Sequence, residues 1–154
     1  MAEPNTTRRI EVISEWVARI AYTAVFVVNM LCALMFVFAP GDYAGAYELS
    51  GEVGSAAIQG LGVAFVMWNV TYPLFILNPK KYKVLGAVVL AQQIVGLIGE
   101  LYIYAFLPAG HSLLASNIIR FVYFDGAGVV LLAAAYVFLV LARKKAMKDN
   151  PPTA

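Results

Sequence analysis

Four long apolar runs separated by short polar stretches set the pattern of this chain. They cover residues 17–38, 55–77, 84–107 and 113–141, the last of them apolar from Phe121 to Leu141 but for Asp125. A helix needs about 20 apolar residues to cross about 30 Å of hydrocarbon, and each run reaches that length. The pattern predicts an all-α integral membrane protein, a four-transmembrane-helix up-and-down bundle in which short loops keep consecutive helices adjacent. Polar positions inside the runs fall at helical spacing. Gln59, Gly62, Val66 and Asn69 share one face of the second run, and Gln93, Gly96 and Glu100 share one face of the third. Glycines on such faces let helices approach, and amides can hydrogen-bond between them. Asn29, Asn69, Gln92 and Gln93, near the middle of their runs, read as interhelical polar contacts. Pro73 has no N–H to give the carbonyl of Asn69, which predicts a kink there.

The segments between the runs are polar and distinct in charge. Residues 1–16 form an amphipathic lead-in with candidate caps at Asn5 and Thr6. From it into the first run, Glu11, Glu15 and Arg19 recur every four residues, and Glu15→Arg19 is the favourable order for a pair. The first loop, APGDYAGAYELSGEVG, is acidic, and the second, NPKKYK, is basic. The third is LPAGHS, with Ser112 placed to open the last helix. Residues 142–154 make a basic tail whose proline-rich end reads as disordered.

Composition agrees with the lipid reading: 62% of the 154 residues are hydrophobic and 13% are charged, against about 25% charged in soluble domains. Mean hydropathy is +0.77. The net charge of +2 gives no argument for nucleic acid. Its distribution matters more. Ten of the 11 Lys and Arg residues lie before or at the start of the first run, in the second loop, or after the fourth run. By the positive-inside rule both termini and the second loop are cytoplasmic, an N-in/C-in arrangement. Trp16, Tyr82, Tyr102 and Tyr104 suit the membrane–water interface. The single cysteine, Cys32, allows no intramolecular disulfide and reads as a small hydrophobe. The single histidine, His111, is in a loop, so haem and structural zinc find no ligand set inside the runs, and no cofactor is implied by the residues themselves.

The exception to this charge pattern is the stretch Gln92–Asp125, which carries Glu100, Arg120 and Asp125 within or beside apolar runs. At 1.5 Å per residue Glu100 lies ~6 Å beyond the midplane, Gln59 and Asp125 roughly 9–11 Å, and Arg120 ~16 Å. These four, with Asn117, can meet in the outer half of a bundle. An Asp at mid-membrane costs about 3 kcal/mol on an insertion scale. One Arg neutralises one carboxylate and leaves another without a partner. Three readings stay open: an Arg120–Glu100 pair fixing register with Asp125 bonded to Asn117 or backbone, a ligand or proton site, and an interface with another subunit.

The succession FAPGDYAGAYEL, AAIQGLGVAFVMW, PKKYK, QQIVGLIGE and IIRFVYFDG resembles the DoxX-like family of small bacterial four-helix membrane proteins, over roughly residues 17–141. The resemblance implies a bacterial cytoplasmic-membrane protein. Some members are associated with thiosulfate-to-quinone oxidation or membrane redox complexes. It assigns no catalytic residue here. Small size and absent cofactor motifs predict a polytopic protein without its own catalytic centre, an accessory or scaffold subunit whose partners are the bilayer, other membrane subunits or copies of itself. The alternative is a binder or carrier of a small lipid-soluble molecule, quinone-like or a lipid, or a proton site, using the polar cluster. The third reading is a subunit of a quinone-linked redox enzyme.

Overall fold

A computed structural model of the chain describes residues 4–149. Among the described residues there is no strand, and four helical segments are long and apolar enough to cross a membrane: Thr6–Phe38, Gly51–Leu77, Lys83–Phe106 and Ser112–Asp149. The first helix, α1 (Pro4–Phe38), absorbs the expected lead-in without a break. A short helix, α2 (Pro40–Ala44), and a single 3₁₀ turn at Gly45–Tyr47 occupy what reads in the sequence as an irregular loop. Pro40 stands in the first turn of α2, where a missing N–H leaves no bond unmade. The second spanning segment starts earlier than expected, as α3 (Gly51–Asn69), and is completed by α4 (Tyr72–Leu77). The third is α5 (Lys83–Phe106) and the fourth α6 (Ser112–Asp149). Residues 142–149 of the expected tail continue α6 as helix; its proline-rich end lies outside the described residues.

Pro73 does more than kink the second segment. The helix stops at Asn69, turns through Val70 and Thr71, and restarts with Pro73 in the first turn of α4. The amide nitrogen of Asn69 donates to the Phe65 carbonyl at 2.7 Å, a bond within its own helix in place of the expected interhelical one.

Two ends of the bundle are tied by different chemistry. At the end carrying the described termini, the Thr7 hydroxyl donates to Asp149 at 2.8 Å and Arg143 donates to the Lys80 carbonyl at 2.8 Å. Lys80 Nζ sits 2.7 Å from Glu15 and 3.2 Å from Glu11, and its pKa is raised chiefly by the Glu15 hydrogen bond. The expected Glu15–Arg19 pair is not formed: both carboxylates turn to Lys80, and the Arg19 guanidinium lies over the Trp16 ring at 5.2 Å. Lys80 is well exposed, so water screens these pairs to about 1 kcal/mol or less each. At the distal end Glu48 of the first loop takes the N–H of Leu114 at 3.1 Å and meets His111 Nδ1 at 2.5 Å.

The dense core lies toward the terminal end. Ala18, Ala21, Tyr22 and Val25 of α1 pack with Tyr72 and Phe75 of α4, Val89 of α5, and Leu132, Ala135 and Leu139 of α6. The Tyr22 ring is 4.2 Å from that of Phe75, and its hydroxyl donates to the Gly86 carbonyl at 2.9 Å. The distal half is organised differently. There α1 packs on α3 and on α6, and α5 packs on α6, but α5 meets the second segment through α4 and scarcely touches α3. Consecutive helices are therefore not all neighbours along their length. From Leu101 to Phe106 every residue of α5 is exposed. Large apolar side chains such as Ile20, Met67, Val95 and Val130 face outward, where a lipid-embedded surface places them.

Candidate functional site

The separation of α3 from α5 leaves a cavity of about 660 Å³ in the distal half, walled by α1, α3, α5 and α6 and capped by Tyr43, Ala46 and Tyr47 of the first loop. One wall is aromatic. The Phe36 ring centroid lies 5.1 Å from Tyr43, 5.9 Å from Tyr47, 5.9 Å from Phe65 and 6.4 Å from Phe121, and Phe65 continues to Trp68 at 6.4 Å. Gly62 makes this wall possible. A Cβ there would fall 2.8 Å from Phe36 Cβ and 2.9 Å from the backbone of Ala33 and Val37, so a larger residue would push α3 off α1.

The other wall is polar. Gln93 of α5 donates to Asp125 of α6 at 2.8 Å. Glu100, two turns further along α5, lines the same cavity as Asp125. Glycine admits these side chains: the Asp125 carboxyl oxygen lies 3.1 Å from where Gly96 would carry a Cβ, and Gln93 Nε2 lies 2.9 Å from the same point at Gly128.

Buried polar atoms nearly always find partners. Among the described residues five buried side-chain atoms have none, and four of them belong to residues lining this cavity: Asn69 Oδ1, Gln92 Oε1, Glu100 Oε2 and Asn117 Nδ2. Asn69 and Asn117 are only 4% and 6% exposed, so bulk water does not relieve them.

The residues singled out by sequence therefore divide. Glu100, Asp125, Asn117, Arg120, Gln92, Gln93, Asn29 and Asn69 all line the cavity. Gln59 does not join them. It donates to the Val37 carbonyl of α1 at 3.0 Å on an exposed face, because its position on α3 looks toward α1 and away from α5. The expected Arg120–Glu100 ion pair is absent among the described residues. Arg120 is one turn from Asn117 on α6, donates to its Oδ1 at 3.3 Å, and is otherwise exposed. Asp125 is bonded to Gln93 and not to Asn117, since α5 crosses α6 at that level. Cys32, read as a core thiol, is half-buried and lines the same cavity.

Sequence reasoning missed the aromatic wall and the cap. Pro40 followed by Asp42 in a first turn was the available signal for α2. Burial pushes the Tyr47 hydroxyl up to about 12, so it stays a neutral group beside Asn117. The cap is held by Glu48, whose pKa is lowered chiefly by its hydrogen bond to His111 and then by the Leu114 N–H. Glu48 also adopts φ 57°, a left-handed conformation that a non-glycine residue enters at some cost.

Between α3 and α5 the cavity wall is thin. The tip of the Trp68 ring approaches Gly96 across this opening, 3.9 Å from where a Cβ would stand. The chain matches no protein-family model, no curated protein and no solved structure.

Proposed function

We propose that this chain is a membrane-embedded binder of a small lipid-soluble molecule, held in the distal cavity with its polar head toward Glu100 and Asp125. The observation that carries this reading is the gathering of four partnerless buried polar atoms on one apolar-walled cavity of about 660 Å³. Ligand sites are mostly apolar pockets of roughly 300–1,000 Å³ with a few convergent polar groups. A bundle serving only as a scaffold has no need to leave such atoms unbonded, which gives the binding reading the advantage over the accessory-subunit one. The thin wall between α3 and α5 is the side from which a lipid-dissolved molecule reaches the cavity.

The orientation that accompanies this reading is an up-and-down bundle with both termini in the cytoplasm of a bacterial cell. Arg8, Arg9, Lys80, Lys81, Lys83 and the basic residues from Arg143 to Lys148 then face the cytoplasm. The cavity lies toward the outer leaflet.

Trp68 supplies the test. With Trp16→Phe removing the other tryptophan, the protein in lipid nanodiscs is titrated with neutral, cationic and anionic lipophilic probes while Trp68 emission is followed. At least one probe gives a saturable change that is lost in Gly96→Leu, which fills the cavity. Linear partitioning with every probe, identical in the variant, refutes the reading.

A further inference from the structure

The cavity's hydrogen-bonding balance is uneven. Of its four partnerless atoms, three are acceptors and one is a donor. Two of the acceptors are chemically fixed. Asn69 spends its NH₂ on the Phe65 carbonyl, which leaves its oxygen facing the cavity, and Glu100 Oε2 is a carboxyl oxygen. The charge balance is uneven in the same direction. Glu100 and Asp125 share one site, and no cation pairs with either among the described residues. Arg120, the cationic side chain on the cavity wall, is exposed and bonded to Asn117. Nor does the pair recruit a third ligand of the metal-binding type among the described residues.

Resting on the small-molecule reading above, we propose that the ligand is a lipophilic amine. Its ammonium head docks on the Glu100–Asp125 pair and on Asn69 Oδ1, and its apolar body lies along the Phe36–Phe65–Trp68 wall. With one of its two carboxyls protonated the site carries one negative charge, which one ammonium neutralises. Its three N–H groups match an acceptor-rich site. Aromatic faces also attract a cation through the negative potential over the ring. A ligand that offers only carbonyl oxygens, as a quinone does, finds a single unpartnered donor here, Asn117 Nδ2, and leaves the acceptors unsatisfied.

The test uses the full chain in nanodiscs and three probes of one shape: naphthylethylamine, naphthylethanol and naphthylacetic acid. Binding is measured by calorimetry against empty nanodiscs. The amine binds at least tenfold more tightly than the alcohol, and the acid binds weakest. The double variant Glu100→Gln/Asp125→Asn, which keeps the shape and removes both carboxyls, abolishes the amine's advantage and leaves the alcohol unchanged. Glu100→Gln and Asp125→Asn singly, each leaving one carboxyl to ionise, keep an amine preference and show that each substituted chain still folds. Equal binding of amine and alcohol by the unsubstituted chain, or an amine advantage surviving the double variant, overturns the assignment to amines while the cavity keeps its role. Binding of no probe overturns both readings.

Discussion

Glu48 shows how much one exposed side chain can organise. It sits in a left-handed conformation, anchors the capping loop to the start of α6, and accepts from both His111 and the Leu114 N–H. Its folded pKa lies below the ordinary value of 4.5. The stabilisation it contributes is therefore complete above that value and disappears as pH falls through the folded one. Thermal unfolding of wild type and Glu48→Gln should differ at about pH 7, and the difference should shrink only once the pH has fallen below the ordinary carboxylate range. A difference that persists unchanged in acid would mean that the latch is not carried by this carboxylate. At this scale the sequence exposes chemistry better than partnership. Glu100 and Asp125 stand out because charge inside an apolar run is costly, and both reach the cavity. Their partners do not stand out. Arg120 is the obvious counter-ion by charge, yet it sits a turn too far toward the distal end. Gln93, which reads as a packing amide, holds Asp125 instead.

Element length and break points were legible where they depend on local rules. The apolar runs give the spanning helices to within a few residues, and Pro73 marks the interruption of the second. What was not legible is which helices touch. Short loops argue for consecutive neighbours, but α3 and α5 part company because α1 takes up the small-residue face of α3. Gly62 is the contact that decides this, with three atoms of α1 within 2.9 Å of its missing Cβ. Gly62→Ala should cost about 1–3 kcal/mol by overpacking. Gly60, with nothing within 4 Å, is the control. Gly60→Ala should be neutral or stabilising by up to about 1 kcal/mol through helix propensity. Unfolding in detergent measures both. If the two substitutions behave alike, the close approach of α1 and α3 is not what seats the second segment.

For the whole molecule, the proposed orientation rests on the alternation of basic loops with loops that hold no Lys or Arg. In a Cys32→Ala background, Ala109→Cys should react in intact cells with a membrane-impermeant thiol reagent, and Lys81→Cys should react only after the cells are opened. The reverse pattern would put the cavity on the cytoplasmic side. Length adds something that hydropathy alone does not convey. At 1.5 Å per residue α1 is about 52 Å long and α6 about 57 Å, each well beyond the ~30 Å of hydrocarbon. The Thr7–Asp149 bond joins their ends on the same side. The bundle therefore carries a two-rod stalk, and one of the rods, α1, runs unbroken from that joint to Asn29 and Cys32 on the cavity wall.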